Sequence, residues 1–217
     1  MKLERDGWDL VRPSLPTELL EDARERLFTA GEAGTRFLLK HTTVRRLAVL
    51  LRDFLAETGV LPKDGIAIQA IAFDKTAGAN WKVPWHQDLM FPVAEDSTWD
   101  QRSLKDGVVY ARPPLEVLQG LLAARLHLDP CGEDNGPLRL ASGSHRFGLI
   151  PSREAADRAR DCGETSCLAE EGEVLLMRPL TLHASSQAKS PQHRRVLHFV
   201  FDGKDPSLVE DWIGVVG

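Results

Sequence analysis

Two histidines, an aspartate and an arginine stand out in this sequence for the chemistry they could do together. His86 and Asp88 lie two positions apart in Trp85-His86-Gln87-Asp88, His183 follows nearly a hundred residues later, and Arg194 lies eleven positions beyond it. Residues i and i+2 of a strand point to the same side, so a His-x-Asp pair can offer an imidazole and a carboxylate to one metal ion without bending the backbone. Two histidines and a carboxylate on one face of an iron ion leave three positions open for chemistry. An arginine adds a rigid two-pronged donor for a carboxylate. The set suits a non-haem iron site that uses an oxo-acid co-substrate.

The pattern occurs twice. The second copy is His127-Leu128-Asp129, followed by Pro130 and the turn-rich Cys131-Gly132-Glu133-Asp134-Asn135-Gly136. There Asp129 can serve the turn, and His127 lies in an apolar run that suits a core or barrel-lining histidine. His86 and Asp88 are flanked by Trp81, Trp85, Met90 and Phe91, which could dry and shape a pocket. The residues alone favour the first copy and leave the second open. Arg194 opens the otherwise apolar Arg194-Arg195-Val196-Leu197-His198-Phe199-Val200-Phe201. Alternation puts 194, 196 and 198 on one face and 195, 197 and 199 on the other, so only one of the two arginines points inward. A charge entering a buried strand needs a partner, and a bound dicarboxylate would be one.

The elements that must position these residues can be read along the chain. Pro16 opens a helix with Leu19, Leu20, Ala23 and Leu27 on one face, closed by Gly31. A second helix starts near Thr42 or Thr43, carries the stripe Val44, Leu47, Leu51, Phe54 and Leu55, and ends before Gly59 and Pro62. Residues 66–73, 121–128, 137–141, 174–177 and 194–201 read as strands, separated by turn residues, with a short helix near 153–160. Helices first and many short strands after suggest a β-sandwich or jelly roll with a helical flank. The expected organisation is one domain over 1–217, with a helical flank over about 1–62 and a β core over about 65–202. The stretch from about Met90 to Pro114 reads as a long irregular loop, and its start just after Asp88 suggests a lid over the site. The apolar tail around Trp212 to Val216 can pack on its own domain or on a partner.

Composition narrows the class. The chain has 217 residues, 42% hydrophobic and 27% charged, with a net charge of −5, which suits a globular protein with a real core and argues against a nucleic-acid binder. No apolar run approaches the length of a membrane span, and the first residues lack the apolar core of a secretory signal. Cys131, Cys162 and Cys167 are odd in number and lack metal-type spacing, so free thiols in a reducing cytoplasm are expected.

With these residues in place, the chain resembles the phytanoyl-CoA dioxygenase family of Fe(II)/2-oxoglutarate-dependent oxygenases. The resemblance runs from about Gln69 to Phe201. It rests on Trp85-His86-Gln87-Asp88, Asp134-Asn135-Gly136-Pro137-Leu138, Ser142-Gly143-Ser144-His145-Arg146, Gly172-Glu173-Val174-Leu175-Leu176, His183 with Ser185, and Arg194. It implies a mainly β protein with flanking helices, a cupin-like double-stranded β-helix. It also implies iron(II) held by His86, Asp88 and His183, which makes His127 and Asp129 part of the following strand. Arg194 is implied to grip the far carboxylate of 2-oxoglutarate, with Ser185 helping and Gln69 near the co-substrate.

The implied reaction uses O2, hydroxylates an unactivated C–H of a small-molecule metabolite and releases succinate and CO2. Halogenating relatives replace the carboxylate ligand with a small residue, so Asp88 favours hydroxylation or desaturation. No acyl-CoA site is evident. Arg125 and His127 share a strand face and could line the barrel, while Lys75, Lys82, Trp81, Trp99 and Tyr110 are expected near its mouth. The rivals are a jelly-roll iron enzyme that does not use 2-oxoglutarate and a non-catalytic jelly-roll binding protein with a vestigial metal site. A zinc hydrolase is disfavoured, since neither His-x-Glu-x-x-His nor a cysteine cluster is present.

Overall fold

The computed structural model describes residues 2–28, 34–203 and 212–217. In chain order the elements are α1 (Lys2–Asp6), β1 (Trp8–Val11), α2 (Thr17–Arg26), β2 (Gly34–Thr35), α3 (Thr42–Glu57), β3 (Ile66–Asp74) and β4 (Val83–His86). Then come β5 (Phe91–Pro92), β6 (Asp100–Lys105), β7 (Val108–Arg112), α4 (Leu115–Gly120), β8 (Leu122–His127) and β9 (Leu138–Ala141). The last are α5 (Ala155–Cys162), β10 (Glu164–Cys167), β11 (Val174–Met177), β12 (His183–Ser185) and β13 (Arg195–Asp202). Gly31, the expected end of the first helix, lies outside the described residues.

Two sheets form the body, ordered β1-β11-β8-β13-β3-β2 and β10-β9-β12-β4. Every pairing is antiparallel. From β3 onward, apart from β5–β7, successive strands fall in the two sheets in the order of a double-stranded β-helix, the mainly β jelly roll that the resemblance implied. The N-terminal flank is not purely helical: β1 and β2 extend the two edges of the larger sheet. No helix among the described residues is long and apolar enough to cross a membrane.

Alternation along each strand divides its residues between two environments. Leu197, Phe199 and Phe201 of β13, with Leu122, Ala124 and Leu126 of β8, pack under α2 and α3. The helices answer with Leu19, Leu20 and Ala23, and with Val44, Leu47, Leu51 and Leu55, as their three- and four-residue spacing requires. Each large side chain buried here contributes about 1.5–3 kcal/mol. The opposite strand faces turn toward the smaller sheet, and Arg125, Arg194 and His198 reach the cavity there. A bulge in β3 opposite Val200 and Phe201 lets Ala67 join the helix-side core while Gln69, Ile71 and Phe73 face the cavity.

The segment read as an irregular lid is instead a small antiparallel sheet, β5-β7-β6. Its alternation is obscured by the charged, exposed residues of β6, such as Arg102 and Lys105. Phe91, Lys105 and Tyr110 from it line the cavity. The C-terminal tail packs on its own chain: Trp212 is buried against Phe91 and Trp99, and Val216 bridges Ala67.

Candidate active site

The pairing of β12 with β4 sets His183 directly opposite His86, with ring centroids 4.1 Å apart. Beyond His86 the backbone leaves the strand, and the Asp88 N–H donates to the Pro179 carbonyl at 3.0 Å. His86 Nε2 then lies 3.7 Å from Asp88 Oδ1, and His183 Nε2 lies 3.6 Å from Asp88 Oδ2. One ligand atom from each residue lies within 4.8 Å of the others, close enough for one ion to meet all three.

Backbone carbonyls orient both rings. His86 Nδ1 faces the Pro84 carbonyl and His183 Nδ1 faces the Thr181 carbonyl, each at 2.9 Å. A carbonyl only accepts, so Nδ1 carries the proton and Nε2 turns its lone pair toward Asp88. Burial pushes His183 down to about 4 against the opposing pull of Asp88, so its imidazole is neutral at pH 7, as a ligand must be. Burial raises the Asp88 carboxyl, but His183, His198, His86 and Arg125 together outweigh it, and the carboxyl ends below its ordinary value. Gln87, between the two ligand candidates, points the other way. Its amide donates to the Gly148 and Leu180 carbonyls and accepts from the Ile150 N–H. The sequence reading quoted Gln87 only as part of the motif; its three bonds hold that motif in place.

These residues open onto a cavity of about 260 Å³. Arg194 is 4% exposed. Its guanidinium donates to the Gly136 carbonyl, and its Nε has no partner among the described residues. Gly136 has φ +62, and a Cβ there would sit 2.8 Å from the Ser186 carbonyl oxygen. Glycine therefore permits both the turn and the close approach that offers its carbonyl to Arg194. Ser185 lines the cavity beside Arg194, and so does Gln69, whose buried Oε1 lacks a partner. Arg195 takes the opposite face, as alternation required. Asp129 grips it with both carboxylate oxygens, at 2.8 Å to Nε and 2.7 Å to a terminal nitrogen, and also accepts from its backbone N–H. The second His-x-Asp aspartate thus serves an arginine on β13 and not the turn.

Arg125 reaches the cavity and His127 does not. Arg125 donates to His198 Nδ1 at 3.2 Å. Burial brings His198 down to about 3, so this ring is neutral and accepts. Burial and the charge of Arg194 lower Arg125 only to about 10, so it stays charged. Its Nε is unpartnered, and it forms no ion pair with a carboxylate among the described residues. His198 was passed over in the sequence, although it shares the Arg194 face. Trp81 and Tyr110 line the cavity as expected. Trp99 packs on Trp212 instead, Lys82 is exposed, and Lys75, expected near the mouth, is fully buried in the wall. All three cysteines are free.

A profile of the family described as Phytanoyl-CoA dioxygenase (PhyH) matches residues 16–196. No curated protein matches the chain by sequence. Among solved structures, AviO1 from Streptomyces viridochromogenes Tue57 is 18% identical, with a TM-score of 0.66 over 95% of this chain and 93% of that one. HygX from Streptomyces hygroscopicus, solved with nickel and 2-oxoglutarate bound, is 15% identical, with a TM-score of 0.64 over 93% of this chain and 84% of that one. SnoK, a non-heme alpha ketoglutarate dependent carbocyclase from nogalamycin biosynthesis, is 16% identical, with a TM-score of 0.68 over 94% and 82%. At such identities these structures establish a shared fold. The profile spans most of the chain and includes both halves of the cavity wall, so the protein belongs to the phytanoyl-CoA dioxygenase family.

Proposed function

We propose that the protein is an Fe(II)- and 2-oxoglutarate-dependent oxygenase that hydroxylates a small molecule. The convergence of His86, Asp88 and His183 on one point, with Arg194 buried at the same cavity, carries this reading. Two imidazole nitrogens and a carboxylate suit a transition ion such as iron(II); calcium or magnesium would ask for an all-oxygen set. When bound, iron(II) with 2-oxoglutarate and O2 supplies oxidation of an unactivated C–H, with succinate and CO2 released.

The chain's own part is holding, orienting and drying. His86 and His183 would offer Nε2, and Asp88 its carboxylate. Arg194 offers a fork to the distal carboxylate of the oxo-acid, with Ser185 beside it, and the unpartnered Gln69 Oε1 accepts from the bound ligands or their water. Ile71, Phe73, Val83 and Leu138 form apolar walls that keep water from competing for these contacts. The retained Asp88 favours hydroxylation over halogenation. Structures of the same fold include SnoN, described as an alpha ketoglutarate dependent epimerase, so the product has to be measured. The test is anaerobic addition of iron(II) and then 2-oxoglutarate to purified protein. A visible charge-transfer band that needs both, and that Arg194→Leu weakens, supports the reading. Iron binding with no band sinks the 2-oxoglutarate assignment.

A further inference from the structure

Lys75 follows β3 and is 0% exposed, an unusual place for an ammonium group without a carboxylate partner. It forms no ion pair among the described residues. Its Nζ donates to the Ser186 carbonyl at 2.6 Å and to Ser185 Oγ at 3.4 Å, and it stands 5.4 Å from the centre of the Trp81 ring. Arg194 lies close by, and the two cations meet around Gly136. Arg194 donates to the carbonyl of that residue, and a Cβ on it would be 3.3 Å from Lys75 Nζ. Burial first and the charge of Arg194 second bring Lys75 down to about 8, so the protonated form still dominates at pH 7. Two adjacent buried cations with no anion are costly in a poorly polarisable interior. An anion arriving between them removes that cost.

The hydrogen-bond polarity points to where that anion sits. Lysine only donates, so Ser185 Oγ accepts from Nζ, and its own hydroxyl hydrogen must point elsewhere. Ser185 lines the cavity together with Arg194, whereas Lys75 stands behind it. We infer that Lys75 is a positioning residue for the distal carboxylate of the oxo-acid: it fixes Ser185 as a donor into the cavity and adds a second positive charge beside Arg194. This rests on the reading of the cavity as a 2-oxoglutarate site.

The test compares two oxo-acids by calorimetry on the anaerobic iron(II) protein. 2-Oxoglutarate carries the distal carboxylate; 2-oxobutanoate keeps the oxo-acid head and lacks it. Lys75→Met should weaken 2-oxoglutarate binding about 10- to 100-fold while leaving 2-oxobutanoate and iron affinity near wild type, and Lys75→Arg should restore much of the preference. Equal loss for both acids, or no loss for either, would overturn the inference. If Lys75→Met does not fold, Ser185→Ala decides, since it must lose part of the same preference and an unchanged preference refutes the arrangement. Arg194→Leu runs alongside. If wild type binds no 2-oxoglutarate, or Arg194→Leu binds it normally, the function proposed above fails as well. If Arg194→Leu loses the acid and Lys75→Met keeps it, only the role of Lys75 falls.

Discussion

At His86-Gln87-Asp88 the strand β4 runs out beside the cavity, and the aspartate meets only the two histidines. At His127-Leu128-Asp129 the strand β8 lies between β11 and β13, and the aspartate is consumed by Arg195. The histidines differ in the same way. His86 is tied by Nδ1 and free at Nε2 toward its neighbours, whereas His127 is buried between the sheets with Nδ1 unpartnered. A ligand pair therefore needs more than spacing. It needs a strand end that opens on a cavity, a fixed tautomer, and a carboxylate that no cation already holds.

That contrast can be broken most directly at the metal. His86→Ala or Asp88→Ala should lower iron(II) affinity by about 100-fold or more, measured by anaerobic calorimetry, while His127→Ala leaves it unchanged. Iron loss in the His127 variant alone would reverse the assignment. At the arginines, Arg194→Leu should cost about 10- to 100-fold in 2-oxoglutarate affinity, equivalent to about 1.4–2.8 kcal/mol. Arg195→Leu should leave that affinity alone and lower stability instead, and the opposite result would exchange their roles.

Smaller effects sharpen the comparison. Asp129→Ala strips Arg195 of its partner, whose hydrogen bonds hold the guanidinium above its usual range, and should cost about 1–3 kcal/mol in urea unfolding without touching iron affinity. His127→Leu removes a buried ring whose Nδ1 has no partner, so at pH 7 its effect should be small. Its signature is in acid. Burial holds His127 at about 3 against 6.5 in the unfolded chain. The unfolded state therefore binds the proton first, and the stability present above pH 6.5 is lost as pH falls toward 3, by at most about 1.4 kcal/mol per unit for this residue. In apoprotein melts between pH 7 and 4, His127→Leu should flatten the decline; an unchanged slope would mean that His127 does not contribute to it.

The sequence by itself determined the elements built on local periodicity. The α3 stripe, the main strands from Ile66 to Phe201, and the split between Arg194 and Arg195 follow from spacings of three to four and of two, which neighbouring residues carry. The family motifs made the candidate ligand set legible as well. Only the tertiary structure decided what depends on register and enclosure. It paired His183 across from His86, gave Asp129 to Arg195, folded 91–112 into a small sheet despite its charged middle strand, and buried Lys75 behind Ser185. No local pattern encodes these contacts, because each joins residues far apart in the chain, and their partners are set by how the two sheets close on each other.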